Sequence, residues 1–275
     1  MKITDEIITS RRNPTVIEAV KLSEKKARES VGLFRFDGIK LFEEAVQKGV
    51  SIARVLLCES KAKDILPRLE GLIALENTAV SLLSDDVFAK VSEEQAPEGI
   101  ICIARFPEKH VKKTDKTLFE SVASDRSRRM ILLESVRDPG NMGTVMRTAA
   151  AFGIDTLVIS HDCADIYNPK TVRGAMGALF KMNIFVFDDI CDAVEVLKKS
   201  GRSVYAAALD KNAVRLDETE FALGDAVVIG NEGHGLSERA INACSKSLYV
   251  PMEEGSESLN AAVAASVIMW SMYKK

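Results

Sequence analysis

Apolar and polar positions alternate along this chain with two different periods. In residues 14–29 apolar side chains recur at helical spacing, with Val16, Ala19, Val20 and Leu22 on one side. Asn13 and Pro14 open the stretch as a cap residue and a first-turn proline. Residues 41–48 read as a second helix, ended by Gly49. Short apolar runs predict strands at 53–58, 79–83 and 99–104, the last launched by Pro97 and Gly99. Residues 107–129 are rich in Lys, Arg, Asp, Ser and Thr and poor in apolar side chains, and read as a linker with one helical turn around 118–122. From Met130 onward a strand–turn–helix pattern repeats. Strands are predicted at 130–134, 156–160, 183–187, 203–208, 226–230 and 248–250, and helices at 143–152, 172–180, 193–200, 237–243 and 258–273. Strands alternating with helices imply an α/β fold with a parallel sheet covered on both faces. The predicted division is a smaller α/β domain over 1–106, the linker 107–129, and a larger domain over 130–275. A fragment beginning near Ser127 is then expected to fold by itself.

The hydrophobic fraction of 47% and charged fraction of 28% suit a folded core and argue against disorder. No apolar run approaches the ~18–20 residues that span a bilayer. The N-terminal MKITDEIITS lacks the apolar centre of a signal peptide, so the expectation is a cytoplasmic protein with no membrane partner. The five cysteines are scattered and form no CxxC pair, which argues against a disulfide framework and against a zinc site. Net charge is −3, but residues 11–40 hold eight Lys and Arg against four Asp and Glu, a local excess of four positive charges. Such a patch either contacts phosphates or forms a solvated helix face with internal ion pairs, and charge alone favours the second. The three histidines do not cluster, and His161-Asp162-Cys163 reads as surface loop.

Three segments of the larger domain carry residues that packing alone does not call for. The first is a Pro- and Gly-bearing loop leading from a strand into a helix, with Asn141 placed to cap the helix and Arg147 within its first turns. The second runs from an apolar strand into Gly230-Asn-Glu-Gly-His-Gly235, where glycines flanking Glu232 let backbone approach a ligand. Its spacing is not that of GxGxxG and no Gly-Lys-Ser/Thr follows, which excludes the dinucleotide and P-loop fingerprints. The third follows Pro251, with Ser258 as a cap and Asn260 in the first turn of an alanine-rich helix.

In order and spacing these segments resemble the SpoU/TrmH family of SPOUT RNA methyltransferases. Asn141-Met-Gly-Thr-Val-Met-Arg147 is similar to that family's first motif, Gly230-Asn-Glu-Gly-His-Gly235 to its second, and Pro251-Met252 with Ser258-Leu-Asn260 and the alanine-rich helix to its third. Asn13-Pro14, Arg28, Asp37-Gly38 and Gln95-Ala-Pro-Glu-Gly-Ile100 resemble the family's substrate-binding extension, which has the fold of kink-turn RNA-binding ribosomal proteins.

The resemblance implies a parallel sheet whose C-terminal segment forms a trefoil knot, a homodimer, and S-adenosylmethionine as cofactor with no metal. It implies cofactor contacts at Ala208, Gly230, Asn231, Gly233, Val250, Met252 and Leu259. Arg147 becomes the catalytic arginine, joined by Asn141, Glu232, Ser258 and Asn260, with Ser258 and Asn260 meeting Arg147 across the dimer interface. A guanidinium keeps its proton up to a pH of about 12, so Arg147 is expected to position the hydroxyl and stabilise charge rather than act as a resting base. RNA contacts are implied for Arg11, Arg12, Lys25, Arg28 and Arg35. The implied reaction is methylation of a ribose 2'-hydroxyl of RNA, ribosomal before transfer RNA because of the extension. A non-catalytic RNA-binding protein of the same fold is the alternative, against which the complete polar set speaks. The chain departs from many relatives at Ala175, where they carry serine.

Overall fold

The computed structural model describes residues 2–69, 78–111, 113–253, 255 and 258–274. The chain divides into two units: residues 1–107 with Tyr167–Phe180, and residues 108–166 with 181–275.

The first unit is built on a mixed five-stranded sheet of strands β1 (Lys2–Ile8), β2 (Leu33–Asp37), β3 (Ile52–Cys58), β4 (Ala79–Leu83) and β5 (Ile100–Arg105), in the order β1-β4-β3-β5-β2. β4 runs parallel to β1 and β3, whereas β5 is antiparallel to β3 and β2. The stretch predicted as one helix is two, α1 (Pro14–Lys21) and α2 (Lys25–Val31). Asn13 caps α1 through the Thr15 amide at 2.9 Å. The break follows from Arg28, whose buried guanidinium reaches back to the carbonyls of Leu22 and Ser23 at 2.7 Å each. These carbonyls end α1 and would otherwise lack partners. Helices α3 (Ile39–Gln47), α4 (Ala62–Leu69) and α5 (Asp85–Val91) also belong to this unit. Val16, Ala19 and Leu22 of the α1 segment bury against Leu56, Val87, Phe88 and Ile101.

A piece of the later sequence also belongs to this unit. Helix α8 (Pro169–Ala175) lies within Tyr167–Phe180 and packs on β2. The Tyr167 ring stacks on Phe106 with centroids 4.1 Å apart and lies 4.7 Å from Phe34, while Phe180 lies 5.3 Å from Phe36. Ala175, the departure from the family pattern, is fully buried here.

The second unit holds strands β6 (His110–Val111), β7 (Met130–Leu133), β8 (Thr156–Ser160), β9 (Asn183–Phe187), β10 (Val204–Ala207), β11 (Val214–Arg215), β12 (Ala226–Ile229) and β13 (Lys246–Tyr249). They form one sheet in the order β11-β13-β10-β12-β7-β8-β9-β6. All the described strand pairs are parallel, as the strand–helix alternation predicts. Helices α6 (Lys116–Ser124), α9 (Ile190–Lys199) and α10 (Glu238–Ala243) share one core with Met130, Leu132, Val158, Val204 and Val228. Ile131 and Leu133, which strand alternation turns to the opposite face, are also fully buried. Helices α7 (Pro139–Ala151) and α11 (Ala261–Tyr273) pack on each other.

The polar stretch 107–129 is therefore not free chain. It supplies edge strand β6, and it supplies α6, which Asp115 caps through the Leu118 amide at 2.7 Å. Phe119 and Ala123 of α6 are fully buried. The buried Arg202 guanidinium then ties down the end of this stretch. It donates to the carbonyls of Ala123 (2.6 Å), Arg128 (2.7 Å) and Asp125, and to that of Gly224 (2.7 Å). Only two side chains of α6 are fully buried, so its average composition hides it.

Candidate active site

The first motif begins where β7 ends. Helix α7 starts at Pro139, earlier than the sequence suggests, because Asp138 rather than Asn141 is its cap: the Asn141 amide donates to Asp138 Oδ1 at 2.8 Å. This leaves the Asn141 carboxamide for other partners. Its Nδ2 donates to the Glu232 carboxylate, and its Oδ1 accepts from Asn260 Nδ2 at 3.1 Å. Asn260 is in turn the cap of α11, accepting from the Ala262 and Val263 amides at 2.9 and 3.3 Å. The last helix thus starts at Ala261, with Ser258 outside it, exposed and not capping. Glu232, Asn141 and Asn260 form a continuous chain of hydrogen bonds between residues far apart in sequence. The Glu232 carboxylate lies at the N-terminal end of α7, where partial positive charge favours an anion. Arg147 lies on the same helix, two turns beyond Asn141, exposed and without a hydrogen bond or ion pair to any described residue.

The second motif is a tight loop after β12. Asn231 pairs with Gly235 as an isolated antiparallel bridge, through Asn231 N to Gly235 O (3.1 Å) and Gly235 N to Asn231 O (2.9 Å). The Asn231 side chain accepts from the Gly233 amide at 2.8 Å and donates to the Ser135 carbonyl at 2.8 Å. Most of the hydrogen-bonding capacity of Asn231 is therefore engaged in holding the loop. Gly230 is fixed by space: a Cβ there would sit 2.3 Å from Gly235 C and 2.4 Å from Leu236 N, both backbone atoms that could yield only by opening the loop.

Ala208, Gly230 and Val250 follow β10, β12 and β13. Because β10 pairs with both β12 and β13, these residues stand at the carboxyl ends of three neighbouring parallel strands. That is where open α/β sheets bind ligands. Ala208, Asn231, Val250 and Leu259 are half-buried, and Met252 is 44% exposed. Ala208 and Val250, half-covered at two of these strand ends, beside a loop that excludes a Cβ, fit a flat nucleoside held by backbone and van der Waals contact. Glu254, Ser256 and Glu257 of the third segment lie outside the described residues.

Sequence reasoning missed a brace beside this loop. Asp162 accepts from Ser135 Oγ and Ser160 Oγ at 2.6 Å each and from Arg137 Nη2 at 3.0 Å. Burial alone would raise its pKa, but these three donors prevail and hold the carboxyl at about 2. Ser135, at φ 56°, is one of two described non-glycine residues in the left-handed region. Glu134 accepts from the Ser237 amide (2.8 Å) and hydroxyl (2.7 Å) and so joins the β7 loop to the start of α10. Ser135 after β7, and Ser160 and Asp162 at the end of β8, were the available signal.

Two of the implied RNA contacts do not hold. Arg28 is 2% exposed and caps α1, and Arg35 is 4% exposed and donates to the Val91 carbonyl and the Glu93 carboxylate. Both cations are held inside the first unit by local acceptors. Arg12 and Lys25 are exposed, and Arg11 is exposed but paired with Asp86 at 2.5 Å.

The description "SpoU rRNA Methylase family" matches residues 128–270, just over half the chain and all three motifs. The chain belongs to the SpoU rRNA methylase family. Residues 13–102 of this SpoU-family chain match an MRM3-like substrate binding domain. It is 33% identical to the 23S rRNA (guanosine(2553)-2'-O)-methyltransferase RlmP of Bacillus subtilis, over 96% of this chain and 98% of that one. It is 25% identical to the 23S rRNA (uridine(2479)-2'-O)-methyltransferase of Streptomyces viridochromogenes, over 98% of this chain and 92% of that one. Its fold matches a structure of an AdoMet-bound rRNA methyltransferase from Sinorhizobium meliloti, with a TM-score of 0.85, 22% identity, and coverage of 98% of this chain and 97% of that one.

Proposed function

We propose that this chain methylates a ribose 2'-hydroxyl of RNA, with ribosomal RNA as the substrate class and S-adenosylmethionine as methyl donor. The observation that carries the reading is the Glu232–Asn141–Asn260 hydrogen-bond chain, which joins all three family motifs at one place, with an uncommitted Arg147 on the same helix as Asn141. Bound S-adenosylmethionine supplies a sulfonium-activated methyl group. Ala208, Gly230, Val250, Met252 and Leu259 would hold it, with Asn231 and Gly233 shaping the loop against it. Arg147 presents a planar fork of donors that orients the attacking ribose and its neighbouring phosphate and stabilises charge as the hydroxyl oxygen becomes nucleophilic. Asn141 and Asn260 keep the Glu232 carboxylate in place, and the exposed Ser258 hydroxyl adds a further polar group at the rim.

The strand order supports the trefoil knot. β12 lies between β7 and β10, and the chain then crosses β10 to place β13 beyond it. The first unit is the RNA-binding part in this reading, with the exposed Arg11, Arg12 and Lys25 on its surface. A homodimer is supported by α11, though not by its alanines: Ala261, Ala262 and Ala265 are buried within the chain. The uncovered stripe is Val263, Val267, Trp270 and Tyr273, which are 48, 38, 52 and 48% exposed. An apolar stripe at helical spacing on a protein of this class fits a second copy of itself. Among the described residues no helix is long and apolar enough to cross a membrane, and a cytoplasmic location fits a ribosomal RNA substrate.

The test is methyl transfer from labelled S-adenosylmethionine to unmodified 23S rRNA transcript, with the product mapped as a 2'-O-methyl group, alongside calorimetry of cofactor binding in the presence of a chelator. The reading expects both transfer and binding. Folded protein that binds neither S-adenosylmethionine nor S-adenosylhomocysteine would refute it.

A further inference from the structure

A pocket of about 210 Å³ is lined by Glu134, Ser135, Arg137, His234 and Ser237 together with residues of the second-motif loop. Both Glu134 oxygens accept from Ser237, which holds that carboxylate against the start of α10. Ser135 donates its hydroxyl to Asp162 and its amide to Ser160 Oγ, and gives its carbonyl to Asn231. Two further side chains of the lining are uncommitted or nearly so. The His234 imidazole is exposed and hydrogen-bonds to no described residue. The Arg137 guanidinium is 70% exposed and uses only Nη2, on Asp162 at 3.0 Å, which leaves its other N–H groups unused. Either neutral tautomer of His234 offers one N–H donor, and the guanidinium offers a charged fork. The unused guanidinium N–H groups, with an imidazole N–H in the same pocket, can hold an anion.

Both side chains belong to segments that also carry site residues. Arg137 precedes Asn141 in the loop entering α7, and His234 follows Glu232 in the second-motif loop. We infer that Arg137 and His234 bind a backbone phosphate of the substrate RNA flanking the acceptor ribose, with Asp162 as the residue that positions Arg137. This rests on the methyltransferase reading for the identity of the anion. Asp162 suits that role because it is itself fixed by two serine hydroxyls at 2.6 Å, so the guanidinium reaches the pocket from a rigid support. Holding a neighbouring phosphate fixes the acceptor nucleotide in register without touching the reacting atoms, so the contact acts on RNA affinity more than on the chemical step.

The full chain is compared as wild type, Arg137→Gln and Arg137→Lys, binding unmodified 23S rRNA transcript over a range of KCl concentrations. Arg137 is exposed enough for either change to leave the fold intact. One lost phosphate contact lowers the slope of log affinity against log salt by about 1. Arg137→Gln is expected to show that drop, with KM for RNA raised ~10-fold, as for a lost charge-assisted hydrogen bond. Its kcat should stay within about threefold of wild type, the signature of lost uniform binding. Arg137→Lys keeps the charge and should keep the slope. His234→Ala should also raise KM for RNA. An unchanged slope and KM in Arg137→Gln would overturn the inference, as would a loss of S-adenosylmethionine affinity in the same variant, since the pocket would then belong to the cofactor. If wild type transferred no methyl group to the transcript, the enzymatic reading would fail, while the salt slope, read from binding alone, would still decide the role of Arg137.

Discussion

Cutting the chain at two nearby positions should give opposite results. A fragment starting at Ser127 discards α6 and β6, whereas one starting at Glu108 keeps both. In the shorter fragment the core loses the fully buried Phe119 and Ala123. Removal of a buried Phe side chain costs about 3–5 kcal/mol. Arg202, 3% exposed, loses the Ala123 and Asp125 carbonyls and keeps those of Arg128 and Gly224. Hydrogen bonds to a charged group contribute about 1.5–3 kcal/mol each, so two lost acceptors add about 3–6 kcal/mol. The total of about 6–11 kcal/mol matches the whole stability of an ordinary domain, about 5–15 kcal/mol. The fragment from Ser127 is therefore expected not to fold, contrary to the linker reading of its sequence. The fragment from Glu108 should fold, because none of Tyr167–Phe180 belongs to its principal core. That segment loses its partners Phe34, Phe36 and Phe106 and should become a protease-sensitive loop. Urea titration followed by circular dichroism, with limited proteolysis mapped by mass spectrometry, distinguishes the two. A cooperative transition for the fragment from Ser127 at the same urea midpoint as the longer one would show that α6 is not part of the core.

Arg147→Ala should lower single-turnover methylation at least ~100-fold while sparing fold and cofactor affinity, and Arg147→Lys should fail similarly because a point charge does not reproduce the fork; near-normal rates would make the first motif structural. Trp270→Glu, on the exposed stripe of α11, should convert a dimer into monomers by light scattering at micromolar concentration, and an unchanged mass would place the interface elsewhere. Asp162 has a folded pKa of about 2 against 3.8 for the free group, so it stabilises the fold above pH 3.8 and loses that contribution as pH falls towards 2. Acid titrations of wild type and Asp162→Asn should accordingly converge across that window, and parallel curves would count against the brace.

Legibility differed between the two units for physical reasons. Strands buried on both faces appear as continuous apolar runs, and β7, β8 and β12 were all visible as such. β1 was not, because KITDEII interrupts its apolar residues with charge at a sheet edge. β2 was hidden by Arg35, a cation that reads as surface in LFRFD but is buried on local acceptors. The attachment of Tyr167–Phe180 to the first unit had no local signal, since aromatic side chains show that a segment is buried but not in which core. Helix starts were misplaced by three or four residues where two capping residues competed, as with Asp138 and Asn141, or Ser258 and Asn260.

The three motifs were legible in the sequence and their mutual geometry was not, and strand order explains the difference. The three motifs follow β7, β12 and β13, with the contacts between them spanning 91 and 119 positions. Nothing local records that β12 inserts between β7 and β10, yet this non-sequential neighbour brings Glu232 to Asn141. The chemistry of position 141 then becomes specific. It must donate to a carboxylate on one side and accept from an amide on the other. An aspartate lacks the donor and would oppose Glu232, and a serine is too short to reach both. A carboxamide satisfies both at once, provided its own helix is capped by another residue. Asp138 meets that condition by taking the Asn141 backbone amide. The asparagine that the sequence presents as a helix cap is therefore free to link the motifs because an adjacent acid does the capping.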